Sequence, residues 1–285
     1  MSQSTYTLQC ISRAVAFMSE KTRDGKTPDL EAIAMAAGLS KYHFNRVYKL
    51  ATGETPQETL TRFKLARAAD QLRDHEVSVT DAAFAAGYGS SQAFAKALKR
   101  VLSASATDVR IDHERLGNAI ETLKIPQSRG EGSVSIEIAK LEPFEAIAIR
   151  TDSAYPALNE RYWALFEAAG DPAIVEAILG QPYGDIGPDN WNTLRFDCSL
   201  KLSAPAKTYP ENIVETQIIG GPALLKRHLG SYDHLPASID DLYHAALCMK
   251  DVKIAEEPLL FHYLDDPEIT AEAELRTDVY LPLVA

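Results

Sequence analysis

The chain has 285 residues, more than a single domain usually holds, and its 46% hydrophobic and 24% charged residues have the balance of a soluble globular protein. No apolar run is long enough to span a bilayer, and the start MSQSTYTLQC lacks the basic-then-apolar pattern of a secretory signal, so a cytoplasmic protein without a membrane partner is expected. Cys10, Cys198 and Cys248 are widely spaced and odd in number, which argues against a disulfide framework or a zinc site, and no cofactor is expected.

The net charge of -11 is unevenly spread. Residues 1–115 carry 16 Lys and Arg against 13 Asp and Glu, a net of +3, whereas residues 116–285 carry 13 against 27, a net of -14. A mildly basic half can approach phosphates. A strongly acidic half is repelled by DNA and favours a cation or a basic surface.

From Pro28 the chain runs through Leu30, Ile33, Ala34 and Ala37 at helical spacing and stops at Gly38, with Ser40 two positions on. That pattern predicts helix, tight turn and N-cap. The following stretch Lys41–Lys49 places Phe44, Val47 and Tyr48 on one face and leaves Lys41, Asn45, Arg46 and Lys49 elsewhere. The motif returns 49 residues later as Ala86-Gly87-Tyr88, with Ser90 or Ser91 opening a second such helix through Phe94, Leu98, Lys99 and Arg100. Between the two, Thr55-Pro56 starts a helix through Leu60, Phe63, Leu65, Ala66, Ala69 and Leu72 to about Asp74, with proline at its tolerated first position. Two helix-turn-helix units on one chain can read two successive major grooves of double-stranded DNA, about 34 Å apart, without a symmetric dimer.

The stretch from about Arg13 to Arg110 resembles the DNA-binding domain of the AraC/XylS family. The residues that carry the resemblance are Ala37 to Arg46, Thr52-Gly53-Glu54-Thr55-Pro56, Arg67-Ala68-Ala69 and Ala86-Gly87-Tyr88 with Phe94 and Lys99-Arg100. It weakens at Leu102 to Ala106, where the family carries a Phe-Gly-x-Ser-Pro-like run. The resemblance implies that Tyr42, Asn45 and Arg46 face bases in the first groove and Ser91, Gln92 and Lys96 in the second. Arg pairs in bidentate fashion with guanine and Gln with adenine. Lys41, Lys49, Lys99 and Arg100 suit phosphates. The plainer alternative is that these side chains solvate helix faces, and His43, beside Phe44, reads as a packed or capping residue.

Past Glu114 a polar helix ends and Pro126 to Gly132 forms a short flexible stretch, so the boundaries read as a DNA-binding domain over 1–115, a linker over 116–132 and a second domain over 133–285. In that domain, alternating residues predict strands at Val134–Ala139 and Ala146–Arg150, followed by Tyr155 and a helix through Leu158, Tyr162, Leu165 and Phe166. The order recurs at Val214–Ile219, Ala223–Arg227, Tyr232 and a helix with Leu242, Tyr243 and Leu247. Arg150, Tyr155, Leu158 and Phe166 each precede Arg227, Tyr232, Leu235 and Tyr243 by 77 residues, and Leu194–Leu200 precedes Leu275–Leu281 by 81. Two copies of strand, strand, helix, strand, strand, each too small to bury a face alone, predict one duplicated α+β domain with a pseudo-twofold cleft. The fold class expected is therefore an all-α double helix-turn-helix domain followed by this duplicated α+β domain.

Over about residues 134–284 the chain resembles the GyrI-like effector-binding domain, carried by Arg227-His228-Leu229-Gly230-Ser231-Tyr232 and Leu275 to Leu283. Together the two halves look like Rob-type regulators. The resemblance implies a lipophilic, often cationic small-molecule effector in an aromatic-lined cleft with a buried acid. Asp278 matches the acidic position, where Glu is commoner, with Glu274 as fallback. Tyr280 shares the face of Asp278, and Trp163, Trp191 and Tyr155 are the candidate aromatic walls. Against each stands a structural alternative: Trp163 and Tyr155 as core residues, and Asp278 as a surface partner of Arg276. The function expected is a ligand-responsive transcription regulator, not an enzyme, with RNA polymerase as protein partner. The alternatives are a second domain that is a small-molecule hydrolase, or one that only contacts another protein. The sequence holds no Ser-His-Asp array, HExxH spacing or phosphate loop.

Overall fold

A computed structural model describes residues 5–72, 76–102, 105, 136–151, 158–184, 186, 194–204, 209–249 and 252–284. The expected linker, Tyr155 and Trp191 lie outside the described residues. The chain forms two compact units that are not contiguous in sequence. One holds residues 7–38 and 48–130; the other holds residues 1–6, 39–47 and 131–285.

The helical region comprises α1 (Thr5–Arg23), α2 (Leu30–Ala37), α3 (Lys41–Thr52), α4 (Pro56–Gln71), α5 (Val79–Ala85) and α6 (Ser91–Leu102). The repeated motif does not mark α1, yet Cys10, Ala14 and Met18, spaced by four, are all buried, as one face of a helix requires. Asp29 caps α2 by accepting from the Ala32 amide at 2.8 Å, and Gly38 ends it at φ 74°. Only glycine enters that left-handed turn cheaply. Ser40 stands before α3 as expected, but its hydroxyl is buried without a hydrogen-bond partner, so the predicted side-chain cap is not made. Thr55 and Glu58 form a reciprocal capping box at α4, with Pro56 in the first turn. Ser90, rather than Ser91, caps α6, accepting from the Ala93 amide at 3.2 Å. Leu65, Ala69, Leu72, Ala82, Ala83, Phe94 and Leu98 close the core that α4, α5 and α6 share.

The second unit is built on an eight-stranded antiparallel sheet. Its strands are β1 (Glu137–Leu141), β2 (Phe144–Thr151), β3 (Val175–Tyr183), β4 (Arg195–Leu202), β5 (Val214–Ile218), β6 (Gly221–Leu229), β7 (Leu260–Tyr263) and β8 (Arg276–Pro282), with helices α7 (Leu158–Ala169) and α8 (Leu235–Cys248). The strand order is β1-β6-β8-β7-β3-β4-β2-β5. Read from either edge, each half contributes the same strands in the same order, except that the first strand of each repeat crosses over: β1 pairs β6 and β5 pairs β2. The pseudo-twofold meets the sheet where β3 pairs β7, at Gly180 opposite Phe261. Those two residues are 81 apart, the spacing that also relates Asp197 to Asp278.

Directly opposed residues of an antiparallel pair share a face. One face carries α7 and α8: His228 meets Ser238 at 2.9 Å and Lys226 binds Asp241 there, and Thr277, Val279 and Leu281 are fully buried. The other face holds Arg227, Asp278, His262 and Leu179, each opposite the next in register.

Candidate DNA-reading and effector-binding sites

Helix α6, expected to read DNA, is amphipathic. Phe94, Ala97 and Leu98 are buried, while Gln92, Lys96, Lys99 and Arg100 are exposed and Ser91 is half-exposed. The helix is pinned from behind by Phe94, edge-on to Tyr88 at 5.5 Å. Gln92 stands in its first turn, where a groove-bound helix meets base edges, and the three cations follow on the free side.

Helix α3, the other expected reader, is arranged differently. Lys41 and Lys49 are exposed and Tyr42 and Asn45 half-buried, but Arg46 is only 7% exposed. Its guanidinium donates to the carboxylate of Asp240, to the Ile186 carbonyl and, at 3.2 Å, to the Pro236 carbonyl. His43, 1% exposed, lies with Nε2 2.7 Å from the Glu257 carbonyl and Nδ1 against the Tyr243 hydroxyl. A carbonyl only accepts, so Nε2 carries the proton and Nδ1 accepts from Tyr243. Burial holds His43 down to about 4, outweighing the opposing Glu257 bond. Tyr42 packs edge-on against Tyr183 at 5.4 Å. His43 is thus packed, as its neighbours suggested, whereas Arg46, expected at bases, faces the N-terminal half of α8.

The effector residues expected from sequence fall into separate places. Asp278 is buried and accepts two bonds from Arg227, at 2.7 and 2.8 Å. Tyr280 is half-buried on the same sheet face, packed against the cluster of Ala146, Leu179, Ile218 and Leu260. Trp163 is 61% exposed on α7, and Glu274 is exposed in a 3₁₀ turn before β8. The sheet separates Asp278 and Tyr280 from the helix face.

On the helix face, at the pseudo-twofold, is a group of aromatics that sequence reasoning missed. Tyr263 makes edge contacts with Tyr162, Tyr232 and Phe261 at 6.1, 5.4 and 6.3 Å, and Phe261 meets Phe196. Tyr162 donates to the Leu179 carbonyl at 2.7 Å. A Cβ on Gly180 would lie 2.5 Å from Phe196 Cζ and 3.2 Å from the Tyr162 hydroxyl, so glycine lets the rings close over the strand. Burial, then the charges of Asp265 and Asp266, push the Tyr232 phenol up to about 12. Of these two, Asp265 is paired with Arg276 at 2.7 and 2.9 Å, which leaves Asp266 as the negative charge bordering the cluster. The signal available in the sequence was the helical register, since Tyr162 adjoins Trp163 but points to the sheet.

Asp197 opposite Arg150 repeats the pair of Asp278 opposite Arg227. Arg150 and Arg195 approach Asp197 at 3.6 and 3.5 Å. Burial raises the Cys198 thiol to about 12, which keeps it protonated and a poor nucleophile. Among the described residues no His, Cys, Asp and Glu group could hold a metal ion, and no helix is long and apolar enough to cross a membrane.

The sequence pattern of a helix-turn-helix domain matches residues 33–111, and that of the GyrI-like small molecule binding domain matches residues 135–284, more than half of the chain. The chain belongs to the GyrI-like family. Ahead of its GyrI-like domain it carries an AraC-type helix-turn-helix domain, the composition of a DNA-binding transcription regulator. The probable transcriptional regulator YgiV of Escherichia coli K12 is 30% identical over 117 residues, 41% of this chain and 73% of that protein. The transcriptional activator RhaS of E. coli O139:H28 is 38% identical over 80 residues, 28% of this chain. The chain spans only 29% of the length of RhaS. Among solved structures, the EcmrR–DNA complex in EcmrR-RPo aligns at 12% identity and TM-score 0.45, over 52% of this chain and 57% of that one.

Proposed function

We propose that this GyrI-like protein is a sequence-specific DNA-binding transcription regulator whose C-terminal domain takes up a small lipophilic cation. The observation that carries the DNA-reading part is α6, with Gln92, Lys96, Lys99 and Arg100 free on one side and Phe94 and Leu98 locked on the other. Gln92 reads bases and the cations hold phosphates. In the C-terminal domain, Tyr162, Tyr232 and Tyr263 offer ring faces and edges on both sides of the pseudo-twofold. Each face attracts a cation by about 0.5–2 kcal/mol when desolvated, and Asp266 adds a field of the right sign, whereas Asp265 is already paired with Arg276. The names of YgiV and RhaS support a regulatory reading, in which RNA polymerase is the partner that senses the bound protein.

The effector part is tested by calorimetry with tetraphenylphosphonium, its neutral analogue tetraphenylmethane in detergent-matched buffer, and tetraphenylborate. Saturable binding of the cation alone, lost in Tyr263→Ala, supports the cleft. Equal binding of all three, or none, counts against it. Turnover of an ester probe abolished by the same substitution would favour a hydrolase.

A further inference from the structure

Residues 39–47 cluster with the GyrI-like residues rather than with the helices on either side of them in sequence, and the contacts they make there are chemically specific. Arg46 saturates three acceptors: the Asp240 carboxylate, the Ile186 carbonyl and the Pro236 carbonyl. The face of its guanidinium stands 5.9 Å from the Tyr243 ring. His43 bridges the Tyr243 hydroxyl and the Glu257 carbonyl, and Tyr42 lies on Tyr183. Pro236, Asp240 and Tyr243 lie in the first three turns of α8, so one helix supplies most of the grip.

A guanidinium has five N–H donors in a fixed fork. The donors that bind Asp240 and the two carbonyls are those that a guanine edge would need. DNA and the GyrI-like residues therefore compete for the same atoms. We propose that the N-terminal half of α8, through Asp240 and Tyr243, holds the reading end of α3 in a masked state. In this state only α6 is available to DNA, and release of Arg46 and His43 completes the two-groove reader. The inference rests on the DNA-reading role of α3 and adds to it a regulated element within the chain.

The grip is lopsided in a useful way. Asp240 keeps 45% of its side chain exposed, while Arg46 keeps 8%. Removing Asp240 thus deletes the charged acceptor without opening a cavity, while the Ile186 and Pro236 carbonyls stay in place in any variant. Tyr243 is buried at 2% exposure, so Tyr243→Phe, which loses only the hydroxyl, is the conservative second variant. A protein that must first leave a masked state binds with an apparent affinity reduced by the competent fraction.

The test uses the full chain and a fragmented genomic DNA pool, with the recovered duplex then measured by fluorescence anisotropy and hydroxyl-radical footprinting. Asp240→Ala and Tyr243→Phe should each bind about tenfold more tightly than the unaltered chain, and their footprint should extend from one groove to two. Adding Arg46→Ala to Asp240→Ala should reverse that gain. Unchanged affinity and footprint in both single variants, with circular dichroism unchanged, would overturn the mask. If no chain binds any duplex, the DNA-reading role itself falls and the mask falls with it. If DNA binds through two grooves before any substitution, only the mask is lost.

Discussion

Arg227 and Asp278, opposite each other on β6 and β8, are joined by two parallel hydrogen bonds of 2.7 and 2.8 Å. The carboxylate nearest in sequence to an effector acid is therefore occupied by the protein itself, on the sheet face turned away from Tyr162 and Tyr263. Asp278→Asn should cost about 1 kcal/mol of stability, kept small because Arg227 is half-exposed and screened by solvent. It should leave tetraphenylphosphonium affinity unchanged. Urea unfolding and calorimetry on one preparation check both, and a tenfold loss of cation affinity would return Asp278 to the site.

Gly180→Ala probes the aromatic cluster from the strand beneath it. The added methyl meets Phe196 at 2.5 Å, and overpacking of this kind costs about 1–3 kcal/mol. The midpoint in urea should fall, and cation binding should weaken because Tyr162 and Phe196 must separate. Gly89→Ala, where a Cβ meets no atom within 4 Å and the backbone is not left-handed, controls for the general effect of substituting glycine and should leave cation binding intact.

The packing of His43 predicts a pH dependence. Its value is held down to about 4 by burial, against 6.5 when exposed. The stability it contributes is therefore fully present above about pH 6.5 and is lost as pH falls toward 4. By pH 5 the packed state should be weaker by about 2 kcal/mol, seen as faster amide exchange in residues 41–47. His43→Gln should flatten that response. Exchange in this segment that does not change between pH 7 and 5 would contradict the assignment.

On α6 the two kinds of contact separate in salt and sequence. Gln92→Ala should lower affinity for the preferred site by about 1–3 kcal/mol while sparing random DNA. Lys99→Ala should weaken both equally and reduce the slope of log K against log salt by about 0.9. Anisotropy titrations at several salt concentrations measure both.

Much of the architecture was legible because it follows from periodicity. The Ala-Ala-Gly turns, the capping Thr55-Pro56 and the 77- and 81-residue spacings all mark local or repeated structure, and α2, α4, α6 and the duplicated sheet match them. Helix α1 escaped because Cys10, Ala14 and Met18 belong to no motif. The third strand of each half was expected but not placed, because β3 and β7 carry no clean alternation: Gly180 and Pro182 interrupt the one, and the other is four residues long. The partners of Arg46 were illegible for a different reason. They lie 190 and 194 residues away, and a lone Arg on a polar helix face looks the same whether it will meet DNA or a carboxylate. The Tyr162–Tyr263 cluster likewise depends on pairing β3 with β7, which no local pattern announces.

A regulator of the proposed kind selects a DNA sequence and changes that selection when a lipophilic cation binds. The genomic fragments that the purified protein retains at near-physiological salt, with and without tetraphenylphosphonium, can be sequenced to check this. The expected result is enrichment of an asymmetric site that spans the groove proposed for α6 and lengthens or changes in occupancy when the cation is added. Retention of fragments without sequence preference, unaltered by the cation, would contradict it.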